Sequence, residues 1–293
     1  MNRGLWYAAA AYTIWGTFPL YWRLLRHVPS LEVLAHRIVW SSVALGAVVV
    51  VARGAGAWRT VSRRVLTQYA IAAVLIAINW LTYIYGVGQE RVVEVSLGYF
   101  ITPLINVLLG TVVLRERLRM LQWAAVALAA AGVGYLTYQY GSVPWIAVLL
   151  AVSFGGYGLV KKTATLPALE GLTLETIVLL APAVVYLLVG PGRAFRPDDL
   201  ATGALLIGGG LVTIGPLLLF ASAVRRVPLT VIGIIQYLSP TISFLLGVFI
   251  LGEPFSANQF VGFGFVWAAI ALFTVDGLRN SGSVRSVRLQ TDM

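Results

Sequence analysis

The sequence predicts an all-α polytopic membrane protein with ten transmembrane helices, arranged as two inverted five-helix repeats. Three observations carry this. Apolar runs recur along the chain, each about 20 residues long and so able to cross a bilayer core as a helix. Basic residues between the runs fall mostly on one side when the runs alternate in direction. A stretch from Thr102 to Gln122 returns without a gap in the second half. Thr102-Pro103 matches Ser239-Pro240, Gly110 matches Gly247, Leu114 matches Leu251, Glu116 matches Glu253 and Gln122 matches Gln259.

Composition agrees. The 293 residues are 59% hydrophobic and 11% charged, with a mean hydropathy of +0.87. A soluble domain carries charge on about a quarter of its residues, so most of this surface must face hydrocarbon.

The runs fall at roughly 4–23, 31–52, 66–88, 93–114, 120–138, 143–160, 172–190, 201–223, 229–251 and 258–277. The first contains Trp6, Trp15 and Pro19 and leads into Arg23 and Arg26 without a small-residue cleavage site, so it is expected to be a span and not a cleaved leader. The second carries Glu32, His36 and Arg37 near its start, the third Asn79 and the fourth Asn106. The fifth follows Arg115, Glu116, Arg117 and Arg119, and the sixth holds Gly155-Gly156-Tyr157-Gly158. Pro182 interrupts the seventh, making it the weakest run. The eighth contains Gly208-Gly209-Gly210 and Gly215-Pro216, and these glycines permit close helix approach or flexing. The ninth contains Gln236, Tyr237 and Pro240.

With the N-terminus in the cytoplasm, Arg3, Arg53, Arg59, Arg63, Arg64, Arg115, Arg117, Arg119, Lys161, Lys162, Arg225, Arg226, Arg279, Arg285 and Arg288 lie inside. Arg23, Arg26, Arg91, Arg193 and Arg196 lie outside, a bias of about three to one. Both termini are then cytoplasmic. The net charge of +10 is thus explained by topology and anionic headgroups, not by nucleic acid.

The repeats divide the chain into 1–140 and 141–280, followed by a polar, basic tail, 281–293, expected to be disordered. Five spans per half is odd, so the second half enters from the opposite side, and such pairs place a site near the midplane. Trp15-Gly16 also pairs with Phe154-Gly155, and Arg23 with Lys162.

Pro103 and Pro240 lack the N–H that would bond Tyr99 and Gln236, so each frees a carbonyl at membrane depth. Such carbonyls need protein or a wet cavity around them. The duplicated breaks read as cavity-lining, with packing kinks as the alternative. Glu116 and Glu253 read first as helix-start signals, and Ser256-Ala257-Asn258-Gln259 has capping-box spacing. Glu32 and His36 lie one turn apart and could couple transport to protons, or could sit with Arg37 at the interface. Glu94 is the third proton-coupling candidate, and its position near a span end equally suits an interfacial role. Asn79 and Asn106 suit substrate binding or helix–helix bonding, the latter being the commoner use. Among the aromatics, Trp15, Tyr83, Tyr99, Tyr157 and Tyr237 lie deep enough to line a cavity, which would suit organic substrates.

The chain has no cysteine and two histidines, which removes disulfides and thiolate chemistry and argues against a histidine metal centre. No GxxxxGK[ST], HExxH or GxSxG occurs, so neither an ATP motor nor those hydrolase chemistries are expected. No metal and no cofactor is expected, and the chain is not expected to be an enzyme.

These residues resemble the drug/metabolite transporter superfamily, EamA-type, and more narrowly its RarD branch. The resemblance rests on Tyr12-Thr13-Ile14-Trp15-Gly16 with Pro19-Leu20-Tyr21-Trp22, on the run from Val28-Pro29 to Arg37, on Asn79-Trp80-Leu81 with Tyr83, on Glu94 to Ile101, on Gly171 to Thr176, and on Gln236-Tyr237 with Pro240. Thr102 stands where the branch pattern has asparagine. The resemblance implies a ten-helix secondary carrier of the bacterial inner membrane that exports amino acids, metabolites or toxic compounds. It also implies a cavity built by the first, third, fourth, sixth, eighth and ninth helices, which selects Trp15, Asn79, Tyr83, Tyr99, Tyr157, Thr213, Gln236 and Tyr237.

The expected function is therefore a permease, an exporter of small organic solutes, working by alternating access. Its expected partners are a small-molecule substrate and the lipid bilayer, with a homo-oligomer left open. A passive facilitator on the same architecture is the alternative. A membrane-embedded lipid-modifying enzyme would need a convergent acid–base or metal cluster, for which the scarce histidines leave little material.

Overall fold

The computed structural model describes residues 3–53, 62–89, 91–141, 144–191, 195, 199–250, 260–262 and 264–276. Arg59, Glu90, Arg193, Arg196, Leu251, Glu253, the Ser256–Gln259 box, Arg279, Arg285, Arg288 and the tail 281–293 lie outside the described residues.

The described chain is helical: α1 (Arg3–Arg23), α2 (Ser30–Arg53), α3 (Arg63–Gly88), α4 (Val92–Val112), α5 (Met120–Tyr140), α6 (Trp145–Thr163), α7 (Ala168–Val189), α8 (Leu200–Val224), α9 (Leu229–Gln236) and α10 (Leu238–Phe249), with a further apolar helix, α11 (Phe260–Asp276). Among the described residues six helices are long and apolar enough to cross a membrane, namely α2, α3, α5, α6, α7 and α8. Shorter apolar stretches lie in α4 (Leu97–Val112), across α9 and α10 (Leu229–Ser243) and in α11. Helix α1 spans 21 residues, long enough to cross, but is diluted by Tyr7, Tyr12, Trp15, Tyr21 and Trp22.

Most helix bounds fall within a few residues of the apolar runs. Helix α7 begins earlier, at Ala168, and continues through Pro182. The two duplicated prolines behave differently. Helix α4 runs on past Pro103, whereas the ninth run is split at Tyr237, three residues before Pro240. The Tyr237 carbonyl is kept satisfied by Thr241, whose N–H and hydroxyl donate at 3.2 and 2.8 Å.

Helix α4 packs on α6, and α9–α10 pack on α1; α3 packs on α6, and α8 on α1; α2 lies against α7. Two close crossings correspond. A Cβ on Gly155 in α6 would stand 2.5 Å from Ile105 of α4, and one on Gly16 in α1 would stand 2.7 Å from Ile242 of α10. Glycine is used at both points because the facing isoleucine occupies the space of a side chain. Where α1, α6 and α8 meet, Tyr12, Trp15, Phe154, Tyr157 and Phe220 form one aromatic cluster with ring centroids 5.2–6.2 Å apart.

Two further joints tie helix ends across the chain. Glu116, in the link after α4, accepts the backbone N–H groups of Leu229 and Thr230 at 2.7 and 2.9 Å. It therefore meets the positive end of α9, not that of the helix that follows it in sequence. Glu94 accepts the N–H of Ile146 at 2.8 Å in the first turn of α6 and pairs with Arg91 at 2.7 Å. The end of α4 thus shares a face with the start of α9, and the start of α4 with the start of α6.

Candidate functional site: a cavity between the two halves

A cavity of about 80 Å³ opens among α1, α2, α3, α4, α6, α9 and α10. Its walls are Tyr12, Trp15, Phe18, Pro19 and Trp22 of α1, Arg37 of α2, Asn79, Trp80 and Tyr83 of α3, and Tyr99 and Thr102 of α4. The second half adds Leu150 and Phe154 of α6, Gln236 of α9, and Ser239 and Ser243 of α10. Trp22 and Tyr83 are near the ends of α1 and α3, and Arg37 and Tyr99 are nearer the starts of α2 and α4. The cavity is therefore set toward the face those four helix ends share. The aromatic cluster, with Tyr157 and Phe220 behind Trp15 and Phe154, lies on its other side. The volume accommodates only a handful of water molecules, so a drug-sized solute requires the walls to part.

Five of the eight residues selected by the resemblance line this cavity: Trp15, Asn79, Tyr83, Tyr99 and Gln236. The other three are buried and do not line it. Tyr157 donates to Glu175 Oε2 at 3.1 Å, Thr213 donates to the Gly209 carbonyl at 2.7 Å, and Tyr237 donates to the Phe100 carbonyl at 3.2 Å. Asn79 spends its Nδ2 on the Leu150 carbonyl and Ser153 Oγ, at 2.9 and 3.2 Å, so it is helix glue at a cavity wall. Gln236 is oriented by two donors, as its Oε1 accepts from Asn106 Nδ2 at 2.6 Å and from the Tyr12 hydroxyl at 3.4 Å. Its amide NH2 is then the group left for the cavity.

The three proton-coupling candidates lie apart from the cavity. Glu32 is within electrostatic reach of His36 and Tyr186. The His36 ring stacks on Phe195 with centroids 5.2 Å apart. Glu94, fully buried, holds the start of α6. Pro103 and Pro240 sit one residue beyond the cavity-lining Thr102 and Ser239.

Arg37 carries the charge of the site. Its guanidinium lies 3.8 Å from the ring centroid of Trp80 and 5.0 Å from that of Trp22. It is 4% exposed. Among the described residues no carboxylate pairs with it, and its Nε has no hydrogen-bond partner. An arginine at the centre of a span costs about 3 kcal/mol to insert, and less toward an end, where Arg37 stands. Two desolvated cation–π contacts contribute about 2 kcal/mol each and offset that cost. They satisfy the charge but supply no acceptor in the plane of the N–H fork.

A second charged group sits deeper. Lys161 Nζ is 2.7 Å from Glu175 Oε1, with both side chains at most 2% exposed, and the Lys161 ammonium lies 5.2 Å from the Tyr69 ring centroid. This pair joins α6 to α7 beyond Tyr157, on the far side of the aromatic cluster from the cavity.

Sequence reading did not select Arg37, Trp22, Trp80, Tyr12, Phe154, Ser239 or Ser243 as cavity residues. A signal was present for α1, since Tyr12, Trp15, Pro19 and Trp22 recur at three- and four-residue spacing on one helical face. No comparable signal joined Lys161 to Glu175, which are brought together only by packing of α6 on α7.

The EamA-like transporter family profile matches residues 2–138 and 142–275. The chain is 45% identical over 280 residues to the uncharacterized transporter YojE of Bacillus subtilis, covering 93% of this chain and 94% of that one. It is 43% identical over 288 residues to the protein RarD of Streptomyces exfoliatus, covering 97% and 91%. A solved crystal structure has the same fold, with a TM-score of 0.70 at 19% identity over 93% of this chain and 97% of the other.

Proposed function

The chain belongs to the EamA-like transporter family, and from that premise we propose that it is a secondary-active exporter of small organic metabolites or drug-like compounds. Ten spans, arranged as two inverted five-helix repeats (1–140 and 141–280), rock about the cavity. The observation that carries this is the composition of the cavity wall. Trp15, Tyr83 and Tyr99 come from the first half, and Phe154, Gln236 and Ser239 from the second. A site shared between inverted halves changes its exposed side when one half tilts against the other. The paired crossings at Gly16–Ile242 and Gly155–Ile105 support the repeat relation.

In this reading the chain is a multi-pass inner-membrane protein of bacteria with both termini in the cytoplasm. The cavity then lies toward the outer face, and the aromatic cluster closes the path to the cytoplasm. Trp15, Tyr83, Tyr99 and Gln236 bind substrate, Asn79 positions α6, and Pro103 and Pro240, which have no N–H to give the carbonyls of Tyr99 and Gln236, leave those carbonyls as the site's backbone acceptors. Tyr157, Thr213 and Tyr237 act from behind the wall. Glu32, His36 and Glu94 lie outside the cavity, so any proton coupling through them acts on helix movement.

Counterflow in proteoliposomes tests the carrier reading, with a panel of labelled amino acids, amines, organic acids and chloramphenicol-like compounds and empty liposomes as control. Transient accumulation of label establishes a carrier; equilibration without accumulation marks a facilitator. Tyr99→Ala and Gln236→Ala are expected to lower transport about tenfold or more while membrane insertion is kept. Equal transport by both variants overturns the assigned cavity.

A further inference from the structure

We propose that Arg37 is an anion subsite of the cavity and that the solute it takes carries a carboxylate. The inference deepens the carrier reading and rests on it for the claim that the bound solute is moved.

Arg37 lines the cavity, is 4% exposed, and has no ion-pair partner among the described residues. Its Nε lacks a hydrogen-bond partner, although five N–H donors surround the guanidinium carbon. The indoles of Trp22 and Trp80 balance its charge and hold it in place. Neither ring offers an in-plane acceptor. A carboxylate does, as its two oxygens match the guanidinium fork.

The surrounding acids are engaged elsewhere. Glu32 is five residues before Arg37 on α2, so it points about 140° away round the helix, toward His36 and Tyr186. Glu94 binds Arg91 and the Ile146 N–H, and Glu175 binds Lys161 and Tyr157. No lining residue is acidic, and Arg37 alone among them is basic, so the wall carries one net positive charge. The amide NH2 of Gln236 adds a second donor, because its Oε1 is already taken by Asn106 and Tyr12. A single cation in a cavity of about 80 Å³ suits a monoanionic carboxylate better than a phosphate dianion. The aromatic walls take the apolar body of the same molecule.

The test uses full-length protein and four acids, acetate, pyruvate, benzoate and phenylacetate, each against its neutral amide. Binding is read by the rise in melting temperature in detergent, and transport by counterflow. At least one acid is expected to bind wild type about tenfold or more tightly than its amide, the range for a hydrogen bond to a charged group. Arg37→Gln is expected to bring that ratio to about one. Arg37→Lys, which keeps the charge, is expected to retain an acid preference with weaker binding, separating recognition from a folding role. Amides that bind as well as acids, an acid preference unchanged in Arg37→Gln, or no binding by any of the four acids overturns the subsite. Acids that bind without counterflow would sink the carrier reading and leave the subsite standing. Counterflow of amides or amines unaffected by Arg37→Gln would do the reverse.

Discussion

Tyr237 donates its hydroxyl to the backbone carbonyl of Phe100 at 3.2 Å across 137 positions of sequence, the same offset that relates Thr102-Pro103 to Ser239-Pro240. The two residues stand two positions before the duplicated stretch in each half, and their rings lie 6.4 Å apart. This bond crosses between α4 and the break separating α9 from α10. Tyr237→Phe removes it while keeping the ring. Hydrogen bonds between membrane helices contribute about 0.6 kcal/mol on average and up to about 1.7. The expected cost is about 1 kcal/mol, read as a lower melting temperature in detergent. An unchanged melting temperature would show that the bond is idle.

The Lys161–Glu175 pair is buried on both sides, so removing one partner strands the other. Lys161→Met is expected to destabilise the fold by about 3–5 kcal/mol. Replacing both residues by methionine and leucine is expected to recover most of that loss, since paired apolar groups need no compensation. A double-mutant cycle on unfolding free energies measures the coupling, and additive costs would refute it.

Glu116 links α4 to the start of α9 through two backbone N–H groups. Glu116→Ala leaves both unpaired and is expected to cost about 1–2 kcal/mol. Glu116→Gln keeps one acceptor and is expected to lose less. Equal melting temperatures for both variants and wild type would remove Glu116 from the joint.

The crossings at Gly16 and Gly155 leave no space for a side chain. Gly155→Ala is expected to cost about 1–3 kcal/mol by forcing α4 and α6 apart. Adding Ile105→Ala is expected to recover part of it, because the clash is with that side chain. Gly16→Ala with Ile242→Ala should behave alike if the two crossings are equivalent. Differing outcomes at the two sites would count against the repeat relation.

Orientation is open to direct measurement because the chain has no cysteine. A cysteine placed at position 63 is expected to react with membrane-impermeant reagent only from the cytoplasmic side. Reaction from outside intact cells would invert the topology.

What sequence alone determined is the solvent and the family. Membrane helices satisfy their own backbone groups, so about 20 apolar residues announce a span wherever they occur, and most helices stand within a few residues of the runs. The family could be read from short motifs such as Tyr12–Gly16 and Glu94–Ile101, because each is contiguous. Part of the cavity was legible as well, since Trp15, Tyr83, Tyr99 and Gln236 are polar or aromatic residues deep within spans, where such groups need a reason. Tertiary structure decided the pairings. Glu116 meets α9 and not the next helix, Lys161 meets Glu175, and Arg37 lies near Trp22 and Trp80 with no acid paired to it among the described residues. Each depends on which helix faces which and on rotation about the helix axis. In a bilayer lipid is as apolar as leucine, so hydropathy marks each span but does not say which face turns inward.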